Sequence, residues 1–511
     1  MKGTHSGCEI SAMCLALALG NFQSLSAAPV TLAAFGHRVI APGLSAGYSN
    51  GDTWDGAWGL NGTLFLQHDD GTGFNKGANV HDRLCQLQGT PEIPSTLFGV
   101  DLNPGILGDS LKGSPCYSTG IYEVDGVLYH NVCYSRQIPG AWVFHHTSIL
   151  KSLDGGRNWM NHLGAMNSMP PDDINRSFFP SEDWGQVNFV KYGRGGMALA
   201  VDNAQTYVYF TASWGALRLA RMARTNLPML DRAKMQFYAG GDGLLDSSWT
   251  NDIKSGKPIP VPSSSPTAVV FNAALGRYLM TSFTSDSWQQ PPIESTLRIM
   301  EAPHPWGPWT LVLDENVNQF EGDNLTWAFL LPKFTSRSGK KMWMSVAGRA
   351  PYGLQLIPIY LSTNSVVTQE AEDASMTDGA EANSKSGFSG RGYVSLDAVG
   401  KKCEFTFKMA AAGTYIVNFR YNTEGYGRFG LGVNGKERAR VELGKSEQPY
   451  ATWTEMSILA RFDIGTNRLR LECEDNVGKI NLDRLSIALW STDDPDDRKD
   501  FAEFSLQEKL P

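Results

Sequence analysis

The chain has 511 residues, a formal net charge of −8 and 42% apolar residues. That length exceeds one ordinary core, so at least two domains are expected. The negative balance, with no concentrated Lys and Arg, argues against nucleic acid and anionic membranes as partners.

Lys2 opens a short basic region, an apolar run follows over Ala12–Leu19, and small residues close the segment at Ser24–Ala28. This is the layout of a secretory signal peptide over residues 1–28, too short to span a bilayer. The mature protein is therefore expected to be a secreted, extracellular monomer. Cys85, Cys116, Cys133, Cys403 and Cys473 lie beyond the leader. An odd count leaves at least one thiol unpaired, and Cys403 with Cys473, alone in the C-terminal unit, is the natural disulfide pair. No CxxC pair supports zinc. Sequons at Asn61, Asn175 and Asn324 suit a secreted glycoprotein.

From 29 to 362 the sequence reads as short strands divided by turns. Asn61-Gly62 and Asp125-Gly126, each between apolar runs, are hairpin turns. Strand groups recur along this stretch without helical periodicity, which predicts a β-propeller. The grouping favours five blades, with seven shorter ones as the alternative and a two-sheet sandwich as the structural rival. The last group lacks a strand, which Val30–Phe35 can supply to close the ring. After a linker at 361–365, clean alternation in runs such as Thr414–Arg420 and Arg468–Glu472 predicts a β-sandwich over 366–490. An acidic tail, 491–511, ends the chain.

In the sandwich, Gln369-Glu370-Ala371-Glu372, Gly392-Tyr393-Val394, Ala412-Gly413-Thr414-Tyr415, Val433-Asn434-Gly435, Gly465-Thr466-Asn467 and Ile480-Asn481-Leu482-Asp483 follow in order. This series resembles the family 35 and family 6 carbohydrate-binding modules. The resemblance implies a structural calcium held by Glu370, Glu372 and Asp483, and oxygen-rich ligands suit that ion. Sugar contact falls to aromatic and amide side chains: Tyr393, Tyr426, Trp453 and Asn481.

In the first domain, Ser152-Leu153-Asp154-Gly155-Gly156-Arg157-Asn158-Trp159 resembles the Asp-box of sialidase-like propellers, a structural hairpin on the outside of a blade. Gly51-Asp52-Thr53-Trp54 with Trp58, Asp69–Phe74, Leu219–Met222, Ala268–Asn272, Gly276–Met280 and Glu301–Trp309 together resemble secreted propellers of the DUF4185 group. That group includes arabinan-type hydrolases and, more loosely, lyases that remove rhamnose from glucuronate. The resemblance implies a glycan substrate, with Trp54 and Trp58 as sugar-facing aromatics.

A uronate lyase needs a base for the proton beside the carboxylate, cations for the enolate and an acid for the leaving oxygen. Histidine and arginine suit those roles. His81 with Arg83 is the leading pair, and His130 and His145 are further candidates. A glycoside hydrolase needs two carboxylates instead. Asp52 is the candidate there, while Asp70 in Asp-Asp-Gly is assigned to turn chemistry. The leading expectation is a polysaccharide lyase acting on a uronate-containing plant glycan, releasing rhamnose from glucuronate in arabinogalactan. An arabinanase-type hydrolase and a non-catalytic lectin are the alternatives.

Overall fold

The structure is a computed structural model describing residues 27–36, 39, 49–75, 79–102, 116–138, 141–198, 206–213, 215–262, 266–285, 295–316, 325–349, 352–425, 427–443, 453–475 and 479–492. The leader up to residue 26, the tail beyond Thr492, Asn324 and Tyr426 lie outside these residues. Asn61 and Asn175 are both exposed.

Among the described residues the first domain is a ring of five antiparallel blades. Blade one holds Asn50–Trp58, Leu64–Gly73, Arg83–Thr90 and Ile93–Asp101. Blade two holds Cys116–Val124, Val127–Ile138, Ala141–Ser152 and Met160–Asn161. Blade three begins with Val187–Lys191, followed by Tyr207–Ala212, Arg218–Ala223 and Gln236–Tyr238. Blade four runs Pro266–Asn272, Arg277–Ser285, Ser295–Ala302 and Thr310–Asn316. Blade five runs Thr326–Thr335, Lys341–Arg349 and Tyr352–Ser362, and Leu32–Phe35 completes it from the other end of the chain. That strand closes the ring, as the missing strand of the last group predicts.

Local chemistry sets the turns. Asp125 and Gly126 take φ of 54° and 80°, the left-handed pair that a tight hairpin requires. The Asp-box also behaves as its sequence implies. The Ser152 hydroxyl accepts from Gly156 N at 2.8 Å, and Asp154 Oδ1 accepts from Asn158 N at 2.9 Å. Those hydrogen bonds hold the Asp154 carboxyl down at about 2. The loop joins the two outermost strands of blade two, away from the axis.

At the axis, Asp55 on the innermost strand of blade one is fully buried. Its carboxylate pairs with the buried Lys191 ammonium and accepts from Asn188 Nδ2 at 3.2 Å, both on blade three, and from Ile121 N at 3.4 Å on blade two. Burial pushes the Lys191 pKa down, and Asp55 opposes it.

The second domain is a sandwich. One sheet contains Ser375–Thr377, Lys402–Met409, Gly465–Asp475, Gly427–Val433 and Lys436–Leu443. The other contains Ala380–Ala382, Tyr393–Leu396, Ile480–Thr492, Gly413–Asn422 and Thr454–Phe462. Phe405, Phe419, Phe429, Leu471 and Leu482 fill the space between them. The predicted disulfide is not formed: Cys403 and Cys473 are both buried and are not joined. Cys403 lies opposite Leu471, so the two cysteines are diagonal rather than paired across the strands. Diagonal side chains stand about 7–8 Å apart, beyond the reach of a disulfide.

The domains share a sheet. Glu315, on the outer strand of blade four, pairs in parallel register with Glu455 of the sandwich. Beside it, Leu32, Ala34 and Tyr360 of blade five pack on Ile416, Ala488 and Trp490.

Replacing Lys191 with Met leaves the Asp55 charge buried without its counter-ion. We expect a loss of about 3–5 kcal/mol in urea unfolding. The double variant Asp55→Asn/Lys191→Met removes the orphaned charge and should be the more stable of the two.

Candidate functional site

The blades carry local irregularities where their innermost strands begin. Register shifts fall between Asp52 and Asp55, Ser118 and Gly120, Pro266 and Val269, and Thr326 and Ala328. Thr53, Gln186 and Trp327 take φ of 48°, 52° and 46° at the same end. A β-branched threonine in that region is strained, and bulges re-aim the side chains around them. Strain of this kind clusters at functional sites. The mouth of the propeller is therefore the first place to look for chemistry.

An acidic cluster sits there. Asp52, on the innermost strand of blade one, lies directly opposite Asp69 on the second strand. Both are buried, and Asp69 Oδ1 accepts from Ser118 N of blade two at 3.0 Å. Burial, then the charge of Asp70, pushes Asp52 up to about 7, against a hydrogen bond from Tyr352 of blade five. Burial and the charge of Asp52 push Asp69 well above the carboxylate range. Burial and mutual repulsion both disfavour the doubly ionised pair, so the two carboxyls titrate together and favour holding one proton.

Asp70 follows with φ of 45°, which turns its side chain outward to His81. Asp70 Oδ1 hydrogen-bonds His81 Nδ1, and the side chains are 38% and 44% exposed. The Tyr117 ring lies 5.0 Å from the imidazole. Sequence reasoning assigned Asp70 to a turn. The residue instead lies within the strand Leu64–Gly73, and its left-handed backbone aims it at His81. A left-handed aspartate beside an already buried one was the missed signal.

Several predicted residues lie elsewhere. Trp54 is fully buried between blades one and five, its Nε1 donating to Gly51 O at 2.8 Å, so it has no face for a sugar. Trp58 ends the strand near whose start Asp52 lies, at most about 20 Å away at the strand rise. Arg83 is buried and donates to Asp101 Oδ2 at 2.8 Å and Thr72 O at 3.2 Å. Its side chain is 2% exposed, so the guanidinium is committed to Asp101 away from solvent. His130 is buried too, with Nε2 at 3.0 Å from Asp82 Oδ1 and beside the Ser118 hydroxyl. His145 lies on the third strand of blade two, next to buried His146. Burial, then His145, pushes His146 down to about 4.

In the sandwich, Glu370, Glu372 and Asp483 converge on the loop over 387–392. The Ser389 hydroxyl donates to Glu370 Oε2 at 2.7 Å and to Asp483 Oδ2 at 3.0 Å. Arg391 N donates to Glu372 Oε1 at 2.7 Å, while Glu372 Oε2 is buried without a hydrogen-bond partner. Arg420 pairs with Asp483 and stands 5.6 Å from the Trp453 ring. Trp453 packs edge-on against Tyr393 at 5.3 Å, and its Nε1 donates to Ser386 O at 3.0 Å. Tyr393 itself is buried, its hydroxyl 2.9 Å from that of Ser384. Asn481 is also buried, with Nδ2 at 3.4 Å from Asn422 Oδ1. Trp453, only partly buried, is the aromatic of this group that reaches solvent.

No family model matches the chain, so the DUF4185 resemblance gains no support from that comparison. Among curated proteins, an exo-beta-D-glucosaminidase of Amycolatopsis orientalis is 29% identical over 124 residues, covering 24% of this chain. The match spans only 12% of that relative. Among solved structures, a family 35 carbohydrate binding module from Clostridium thermocellum is 26% identical, covering 24% of this chain and 98% of that one, with a TM-score of 0.24. An exo-beta-1,3-galactanase from Phanerochaete chrysosporium is 11% identical, covering 86% of this chain and 99% of that one, with a TM-score of 0.38.

The raised Asp52 has a measurable consequence. Its folded value, about 7, lies above its unfolded value of 3.8, so the native state holds the extra proton between the two. Its stabilising contribution is full below the unfolded value and is lost as pH rises through the folded one. A shift of this size corresponds to about 4 kcal/mol. Asp52→Asn should therefore gain stability over the parent above about pH 7 and little near pH 4, measured by urea unfolding at both ends.

Proposed function

We propose that this protein is a secreted, carbohydrate-active enzyme that cleaves a glycan by hydrolysis at the propeller mouth, with the sandwich as its carbohydrate-binding module. One observation carries the reading: buried Asp52 lies opposite buried Asp69, its carboxyl pushed up to about 7, beside a partly exposed carboxylate, Asp70. A carboxyl with a value near 7 is suited to protonate a leaving oxygen. The Asp70–His81 pair, in contact with solvent, is suited to activate water. The strained backbone at Thr53 fixes the acid, and Tyr352 orients it from the neighbouring blade. Supporting the carbohydrate reading are the sequence likeness of about a quarter of the chain to a family 35 module and to part of a glucosaminidase.

Lyase chemistry is the second reading, favoured by His81 held by Asp70 beside Tyr117. Its weak point is the cation. Arg83, the residue expected to stabilise the enolate, is buried on Asp101.

The test is to incubate the protein with arabinogalactan, arabinan and β-1,3-galactan, following reducing ends and ultraviolet absorbance together. Reducing ends without absorbance, reduced about 100-fold or more in Asp52→Asn, is the expected result. Absorbance that survives Asp52→Asn and vanishes in His81→Ala would replace hydrolysis with elimination. Binding without cleavage across the panel would leave a lectin.

The acids of the module fit a calcium ion. Glu372 Oε2 is a buried oxygen awaiting a partner, and Glu370 and Asp483 already meet at Ser389. Those three carboxylates would hold the ion, which would replace Arg420 as the counter-charge at Asp483. Calcium should raise the melting temperature of the parent protein after chelator treatment, and Glu372→Gln should abolish that rise in differential scanning fluorimetry.

A further inference from the structure

We infer that His145, His146 and Asp172 form a binding site for a divalent transition metal on the rim of the propeller mouth, independent of the reaction proposed above. Adjacent residues of a strand normally point to opposite faces. Here they do not. In blade two, Tyr134 pairs with His146 and Ser135 with Phe144, so His145 is the extra residue of a β-bulge. The bulge turns two consecutive imidazoles toward each other, with Nδ1 atoms 2.7 Å apart. One ring nitrogen from each histidine and a carboxylate oxygen of Asp172 then lie within 4.8 Å of one another.

A proton shared between the Nδ1 atoms satisfies those two atoms and no others. Nε2 of His146 remains buried with no hydrogen-bond partner. Asp172 Oδ1 is 3.6 Å from it, too far for a hydrogen bond but a natural spacing for two ligands of one ion. A metal there completes the coordination of a nitrogen that the fold otherwise leaves orphaned, inside the domain's interior. The Tyr134 ring stacks on His146 at 5.0 Å and fixes its plane.

The ligand set selects the ion. Two imidazoles and one carboxylate suit zinc and its first-row neighbours rather than calcium or magnesium, which prefer all-oxygen cages. Three protein ligands leave a position open for water or a substrate oxygen. Asp172 is 46% exposed, which gives the site its entry from solvent. The Phe144 ring, one residue before the pair, lies 5.6 Å from Tyr117 and so joins this rim to the His81 cluster. A second grouping of ligand atoms, His68, Cys85 and Asp101, does not compete. It is closed by the Arg83 guanidinium on Asp101, which already supplies the positive charge.

The experiment is a titration of the full, chelator-treated protein with Co²⁺, read by its visible ligand-field absorption. Saturable absorption in the parent, weakened about tenfold or more by His145→Ala and by Asp172→Asn but unchanged in the module variant Glu372→Gln, is the expected result. Asp172→Asn is a surface change, so unaltered melting in that variant separates lost ligation from lost fold. No absorption in the parent, or equal binding by the His145 and Asp172 variants, would overturn the site.

Discussion

The propeller depends on one buried charge pair near its axis. Asp55 enters from blade one, Lys191 and Asn188 from blade three, and the Ile121 amide from blade two. An ion pair withdrawn from water is favourable only when its remaining hydrogen-bonding capacity is met. Asp55 meets this condition by drawing donors from separate blades. The innermost strands of blades one, two and three are thereby fixed relative to one another. Around this point the blades pack through their apolar faces, and Leu32–Phe35 locks the last blade to the first part of the chain.

The fixed axis makes the strained mouth affordable. Bulges and left-handed residues at the strand starts cost free energy locally, and they persist because the ring over-determines their positions. Their yield is chemical. Asp52 and Asp69 are held face to face out of water, Asp70 is turned outward to His81, and Tyr352 closes on Asp52 from the neighbouring blade. The raised Asp52–Asp69 pair and the half-exposed His81 are thus brought together through Asp70, the residue next to Asp69. In blade two another irregularity, the His145 bulge opposite Tyr134 and Ser135, gathers nitrogen ligands by the same means.

The sandwich is attached through a shared sheet edge rather than a loose tether. Glu315, buried at the junction, accepts from Ser457 N at 2.5 Å, and burial pushes its carboxyl up to about 8. A neutral carboxyl there avoids a buried charge facing Glu455. With Trp490 packed on Tyr360 at 4.9 Å, the two domains are joined by both apolar contact and backbone pairing.

The sequence by itself favoured five blades over seven, and the sheet pairing decided the count. The sequence alone determined the all-β class, the closing N-terminal strand, the Asp-box hairpin and the alternating strands of the sandwich. Each of these rests on signals that act within a few residues: a left-handed Asp-Gly pair, a period of two, a serine reaching the next turn. Tertiary structure decided which side chains meet water. Arg83 and Trp54 look like site residues in sequence and are interior, whereas Asp70 looks like a turn and faces His81. The partners that settle these roles are remote: Asp69 meets Ser118 across 49 residues, His130 meets Asp82 across 48, and Asp55 meets Lys191 across 136. Burial sets the protonation of Asp52, and burial is a property of the whole packed ring that no local pattern encodes.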